Sequence, residues 1–225
     1  MKHGKKYRDA VKKYDRAAIF DLQSAFDLVK SLAYAKFDET IDISIKLNLK
    51  KSQSVRDTVI VPNQFKAEKR ILVFCKPEKE AEAKDAGAVF VGSDDLIAKV
   101  KDGWLDFDVA VATPDMMRDV GKLGMVLGRR GLMPNPKTGT VTFDLKGALS
   151  ELRKGRTEFR ADKTGVVHLA IGKLSMDNAK LVANAKVVVV EVKRKKPTDA
   201  KGDFITSVSV ASTMGPGIWA AVKDE

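Results

Sequence analysis

The sequence predicts an α/β (α+β) fold in two domains. A split basic α/β domain with a half-exposed sheet takes residues 1–67 and 157–225, and a three-layer α/β domain is inserted at 68–156. Three observations carry this. Strands near both ends alternate apolar and polar residues, the period of a sheet with one covered face, whereas the middle strands are apolar throughout and alternate with helices. Charge divides the same way, with 15 basic against 9 acidic side chains over residues 1–69, 14 against 13 over 70–155, and 12 against 8 over 156–225. Neither end alone has enough strands for a stable sheet, so the two are expected to complete one another. The crossings near 66–69 and 155–157 would make a natural hinge.

In chain order, the opening MKHGKKYRDAVKKYDRAAIF is basic and amphipathic. Residues 21–35, DLQSAFDLVKSLAYA, place Leu22, Ala25, Phe26, Leu28, Val29, Leu32 and Ala33 on one helical face, with Asp21 positioned to cap the start. In IDISIKLNLK, Ile41, Ile43, Ile45, Leu47 and Leu49 alternate with Asp42, Ser44, Lys46 and Asn48, a half-buried strand. DTVIVP follows across the polar KKSQSVR, and the two strands are expected to pair as a hairpin with one covered face. From residue 70 the order is RILVFC, PEKEAEAKDAG, AVFVG, SDDLIAKVKDG and FDVAVATP, read as strand, helix, strand, helix and strand, closed by the helix DLKGALSELRKG. After Gly155 come TEFRAD, a KTG turn and VVHLAIG, then a helix from about Ser175 toward Lys193, the basic KRKKP, and the strand FITSVSVAS.

At 225 residues, 44% hydrophobic, the chain can bury sizeable cores. The start shows no charged segment leading into an apolar one, and no apolar run nears the ~20 residues that span a bilayer, so a soluble cytoplasmic protein without a membrane partner is expected. The single cysteine, Cys75, lies in RILVFC and reads as a buried small hydrophobe. A formal net charge of +11, concentrated in the ends, points to a polyanion met by the split domain; solubility through net charge is the blander reading.

Catalysis has no visible carrier. The first apolar strand is followed by KPEKEAE where a dinucleotide fold would place a glycine-rich turn, and NPKTG lacks the spacing of a phosphate-cradling loop. His3 and His168 are the only histidines, so no metal cluster or Cys-His pair of familiar spacing assembles, and no cofactor or small-molecule substrate is implied. Asp94 and Asp95 open a predicted helix, where capping accounts for them. The string GKLGMVLGRRGLMPNPKTGTV, 121–141, reads as a structured loop in which Arg129 and Arg130 can face phosphate.

This string, with GKKYRDA, AKFDETIDISIKL, GWLDFDVAVATPDMM, KGRTEFRADKTGVVHLAIGK and STMGP in one order, resembles the ribosomal protein L1 family of the large subunit over essentially the whole chain. The resemblance implies a split first domain that binds large-subunit ribosomal RNA and a Rossmann-like inserted domain. It implies a mobile stalk beside the ribosomal exit site, an effect on release of deacylated exit-site tRNA, and in many bacteria repression of translation through operon mRNA. A noncatalytic protein, monomeric when free, is expected. The chain departs from the family pattern with Arg129 where Pro is usual, Asp57 where Gly is common, and NQFKAEK in place of a His-Gly-containing linker.

The resemblance also places RNA contacts. Thr213 offers a hydroxyl, Met214 an adaptable apolar surface, Gly215 a main chain without Cβ, and Pro216 a fixed turn exit, although Gly-Pro is also an ordinary way to end a strand. In AKFDET, Lys36 can meet phosphate, Phe37 can pack on a nucleotide and Thr40 can hydrogen-bond, with a core role as the plain alternative for Phe37. Asp27 stands where the family often has Glu. Asp162 and Lys163 lie at a hairpin turn that Arg160 and His168 support, and Ser207 shares a strand face with Ala211. KRKKP supplies nonspecific phosphate attraction or is a solvated helix end, so Lys195→Ala should mainly lower salt dependence. Two other classes compete with this reading. A nucleotide-using enzyme with a basic RNA-recruiting domain would need the absent glycine turn, and a general nucleic-acid chaperone would bind unrelated RNAs equally.

Overall fold

The computed structural model describes residues 4–50, 53–66, 68–197 and 202–221. Along them run α1 (Lys5–Val11), β1 (Ile19–Asp21), α2 (Leu22–Leu32), β2 (Thr40–Leu47), β3 (Arg56–Val59), β4 (Ile71–Phe74), α3 (Glu80–Asp85), β5 (Phe90–Gly92), α4 (Asp94–Lys101), β6 (Val109–Ala112), α5 (Met117–Val120), α6 (Gly124–Arg130), α7 (Leu145–Arg153), β7 (Thr157–Arg160), β8 (Val166–Lys173), α8 (Asn178–Arg194), β9 (Ile205–Ser212) and β10 (Ile218–Ala221). The chain divides into two compact units, Met1–Phe65 with Glu158–Glu225, and Lys66–Thr157. His3 and Ala67, the latter within the NQFKAEK linker, lie outside the described residues.

In the first unit a five-stranded sheet has the order β1-β10-β9-β2-β8. β1 runs parallel to β10, and the other neighbours are antiparallel. Ile41, Ile43, Ile45 and Leu47 of β2 are buried together with Val208 and Val210 of β9, in one core with α2 and α8. The helix α2 buries Leu22, Ala25, Phe26, Val29 and Leu32 at the spacing its sequence predicts. Leu28 is only half-buried, and Ala33 is already an extended cap residue. Asp21 holds the N-cap position, but its side chain accepts no hydrogen bond from the helix. The helix α8 starts at Asn178 rather than near Ser175, because residues 174–177 form the turn out of β8.

The expected hairpin between IDISIKLNLK and DTVIVP does not form. Both edges of β2 are taken, by β8 on one side and β9 on the other, so β3 pairs instead with β7 in a separate two-stranded sheet. The sequence reading also missed β1 and β10, strands of 3 and 4 residues too short to show a period.

The second unit holds a parallel three-stranded sheet in the order β5-β4-β6. All four residues of β4 are buried. Ile71, Val73 and Cys75 pack with Ala83 of α3 and with Leu145, Leu149 and Leu152 of α7, while Leu72 and Phe74 pack with Leu96 and Val100 of α4 and with Val120, Leu123 and Leu127. Helices on both faces are why these strands are apolar without alternation. Burial raises the Cys75 thiol above its ordinary range.

The string 121–141, expected as a loop, is helical in its first half. A 3-10 turn, Gly121–Leu123, runs into α6, which Gly131 closes in the left-handed conformation at φ +70°. Burial of Leu123 and Leu127 outweighs the weak helix preference of the glycines. Arg129 lies exposed in the last turn of α6, where a basic side chain complements the helix dipole.

Candidate nucleic-acid interface

One end of the five-stranded sheet gathers most of the strand-end residues. β2 begins at Thr40 where β9 finishes at Ser212, since Ile41 pairs with Ser212. The loop 33–39 and the turn 212–216 therefore meet although they are some 170 residues apart. Phe37, 55% exposed, and Met214, 49% exposed, present an apolar pair there, with Lys36 exposed beside Phe37. The core alternative for Phe37 is thereby ruled out.

The loop and the turn are held together by hydrogen bonds. Thr213 Oγ1 accepts the Thr40 N–H at 3.1 Å and donates to the Thr40 carbonyl at 3.2 Å, so its proton serves the fold instead of standing ready for a ligand. The Met214 N–H donates to Glu39 Oε2 at 3.0 Å, and the Met214 carbonyl accepts from Tyr34 Oη at 2.6 Å. Glu39 Oε1 accepts the Ala35 N–H at 3.2 Å. Asp38 takes the Ser175 N–H at 3.1 Å and the Ser175 hydroxyl at 2.9 Å, tying the same loop to the exit of β8. Glu39 is fully buried.

Gly215 and Pro216 serve the turn itself. The Gly215 N–H closes it onto the Ser212 carbonyl at 3.1 Å, and a Cβ at Gly215 would stand 2.5 Å from Ser212 Oγ, a buried hydroxyl without a partner. Pro216 is buried, so its ring packs inward and offers no contact surface.

Other expected contacts lie elsewhere. Ser207 is half-buried on the open face opposite Lys46, and Lys46 in turn faces Val166. That row is roughly 20 Å along β2 from Thr40. The Asp162–Lys163 turn stands at this far end: Asp162 accepts N–H groups from Thr164 and Val166 and the Thr164 hydroxyl, each at 2.8 Å, and Lys163 is exposed at the tip. The Val166 amide, then the Thr164 hydroxyl, hold the Asp162 carboxyl below its ordinary range. His168 sits midway, its Nδ1 2.9 Å from Ser44 Oγ. Arg160 is exposed on β7, outside the main sheet. Asp27 lies on α2 and accepts a hydrogen bond from Asn178 of α8, which places it in the helix layer.

In KRKKP, Lys195 is ion-paired with Asp57, which raises its pKa, and Arg194 pairs with Glu191 at 2.6 Å. The basic run is therefore partly engaged within the fold, and Asp57 gives β3 an ionic tie to α8 that a glycine would not.

The sequence reading missed Glu39 and Tyr34. A signal for Glu39 was present: continued backward from Ile41 and Ile43, the alternation of β2 puts position 39 on the buried side, where a carboxylate is unexpected. Nothing in the pattern marked Tyr34.

Among the described residues, no group of three or more His, Cys, Asp and Glu side chains could hold a metal ion, and no helix is long and apolar enough to cross a membrane. The fold defines a two-unit α/β protein whose split unit presents exposed apolar and basic side chains at one end of its sheet. The family model for the ribosomal protein L1p/L10e family matches residues 29–216. The chain is 63% identical over 223 residues to the large ribosomal subunit protein uL1 of Treponema denticola, covering 99% of each, and 60% identical to that of Treponema pallidum over the full length of both. It is 57% identical to the protein of the same name from Borrelia hermsii, covering 96% of this chain and 97% of the other. This chain belongs to the ribosomal protein L1p/L10e family, a structural and noncatalytic ribosomal protein family.

Proposed function

We propose that this chain is a component of the large ribosomal subunit that binds ribosomal RNA through the split unit and forms the mobile stalk near the exit site. In that place it assists release of deacylated tRNA. By binding a similar fold in its own operon mRNA it also represses translation. It acts in the cytoplasm, on the ribosome, and is a monomer when free.

The observation that carries the reading is the exposed pair Phe37 and Met214 at one end of the sheet, with Lys36 beside it. Structured RNA offers sugar faces, 2′-hydroxyls and a few unstacked bases, and an apolar pair held at fixed spacing beside a cation suits that surface better than charge alone. The turn at Asp162 and Lys163, at the other end of the open face, supplies a second point of contact with the phosphate backbone.

The test is affinity for a fragment of large-subunit stalk RNA across a salt series, beside an unrelated hairpin of equal length. A preference of ~10³ or more that persists at high salt supports shape-specific recognition. Equal and steeply salt-sensitive binding to both would replace the reading with that of a general nucleic-acid chaperone.

A further inference from the structure

We propose that Glu39 is the positioning residue of this face. Its one buried carboxylate holds the loop bearing Lys36 and Phe37 and the turn bearing Met214 at a fixed spacing, and that spacing sets selectivity for structured RNA. The inference rests on the RNA-binding reading above and adds the residue that sets its specificity.

Three features of the site lead to it. Glu39 is fully buried, and a buried carboxylate is expensive unless its oxygens are satisfied. Here Oε1 takes the Ala35 N–H and Oε2 the Met214 N–H, one from each of the two segments that make the face, and the Glu39 carbonyl accepts the Leu174 N–H at 2.9 Å. A single residue thus ties the helix exit, the strand end and the outlet of β8.

The side chain is also matched to the task. An apolar residue would suit the buried side of β2 but would leave two amides unpaired. A glutamine has one acceptor oxygen, and its amide nitrogen would face one N–H as a second donor. Only a side chain with two acceptors serves both segments.

Finally, both backbone polar groups of Met214 are engaged, the N–H by Glu39 and the carbonyl by Tyr34. The backbone from which the thioether projects is therefore fixed before any ligand arrives. Fixing a contact in its bound position removes an ordering cost from association, and that gain applies only to an RNA whose shape fits.

The experiment uses the full chain. Affinities of wild type, Glu39→Gln and Tyr34→Phe are measured for the stalk RNA fragment and the unrelated hairpin, with amide exchange at Met214 and Val210 followed by NMR. Glu39→Gln should weaken stalk RNA by roughly tenfold or more and leave the hairpin within about twofold, because one buried amide loses its acceptor. Met214 exchange should accelerate while Val210, inside β9, is unchanged. Tyr34→Phe keeps the ring and loses one hydrogen bond, so a smaller drop of about three- to tenfold is expected, and it carries the test if Glu39→Gln does not fold.

Faster Met214 exchange with stalk affinity intact would overturn the proposal, as would equal losses for both RNAs, which mark a merely structural role. A wild-type chain that does not distinguish the two RNAs overturns the RNA-recognition reading itself, before any variant is compared.

Discussion

β2 and β4 are both interior strands, paired on each edge, yet they treat their two faces oppositely. β2 buries Ile41, Ile43, Ile45 and Leu47 against the helices and turns Asp42, Ser44 and Lys46 to the face away from that core. β4 buries every residue, between α3 and α7 on one side and α4 on the other. A sheet covered twice gives its side chains to cohesion, whereas a sheet covered once keeps half of them for a partner. The split unit is accordingly the one that carries both the half-covered sheet and the excess of positive charge.

The largest expected effect tests that division directly. Phe74→Ala should remove about 3–5 kcal/mol from the stability of the inserted unit, read by denaturant titration, while affinity for stalk RNA stays within about threefold. An affinity loss of the same order would break the comparison by giving the doubly covered unit a share in recognition.

Met214→Asp comes next. It places an anion in the proposed contact without disturbing the backbone bonds of residue 214, and stalk RNA should weaken by about 10- to 100-fold in a filter-binding titration, with a much smaller change for an unrelated hairpin. Equal losses would mean that charge rather than shape is being measured.

Gly215→Ala should destabilise the split unit by about 1 kcal/mol, because the new methyl meets Ser212 Oγ and forces that side chain from its rotamer. Adding Ser212→Ala should restore the loss, and a melting curve on the pair of variants reads it. Failure of that rescue would place the strain in the backbone of the turn rather than at the Ser212 hydroxyl.

Acid should act on the other end of the face. Asp162 titrates below its ordinary value in the folded chain, so its contribution is present above about pH 4, the unfolded value, and disappears as pH falls through the lower folded value. Amide exchange at Thr164 and Val166 should rise in that window, ahead of exchange at Ile43.

The smallest effect is expected at Lys195. Because its ammonium is paired with Asp57, Lys195→Ala should change the slope of log affinity against log salt by less than about one. A full unit would show that the pair opens to release the lysine to RNA.

Much of this was legible in the chain. Alternation in IDISIKL, unbroken apolar runs in RILVFC and FDVAVATP, and the charge difference between ends and middle describe burial, which each residue reports by its own side chain. The exposure of Phe37 and Met214 was readable only through the family pattern, since an aromatic or a methionine in an alternating context is as often core. The failures have a different physical origin. Strand partners are chosen between distant segments, so nothing inside IDISIKLNLK reveals that β8 and β9 leave no edge for DTVIVP. The helix α6 forms against local preference because Leu123 and Leu127 find a core there.

By itself, then, the sequence determined which strands have one covered face and which have two, and where positive charge accumulates, because these follow from side-chain chemistry at short range. Only the tertiary structure decided that residues 35 and 214 share one carboxylate, that the Thr213 hydroxyl is already engaged, and that the Asp162 turn lies a strand's length from Met214. Those facts depend on register across a sheet whose strands come from opposite ends of the chain, and register is set by packing that no single segment contains.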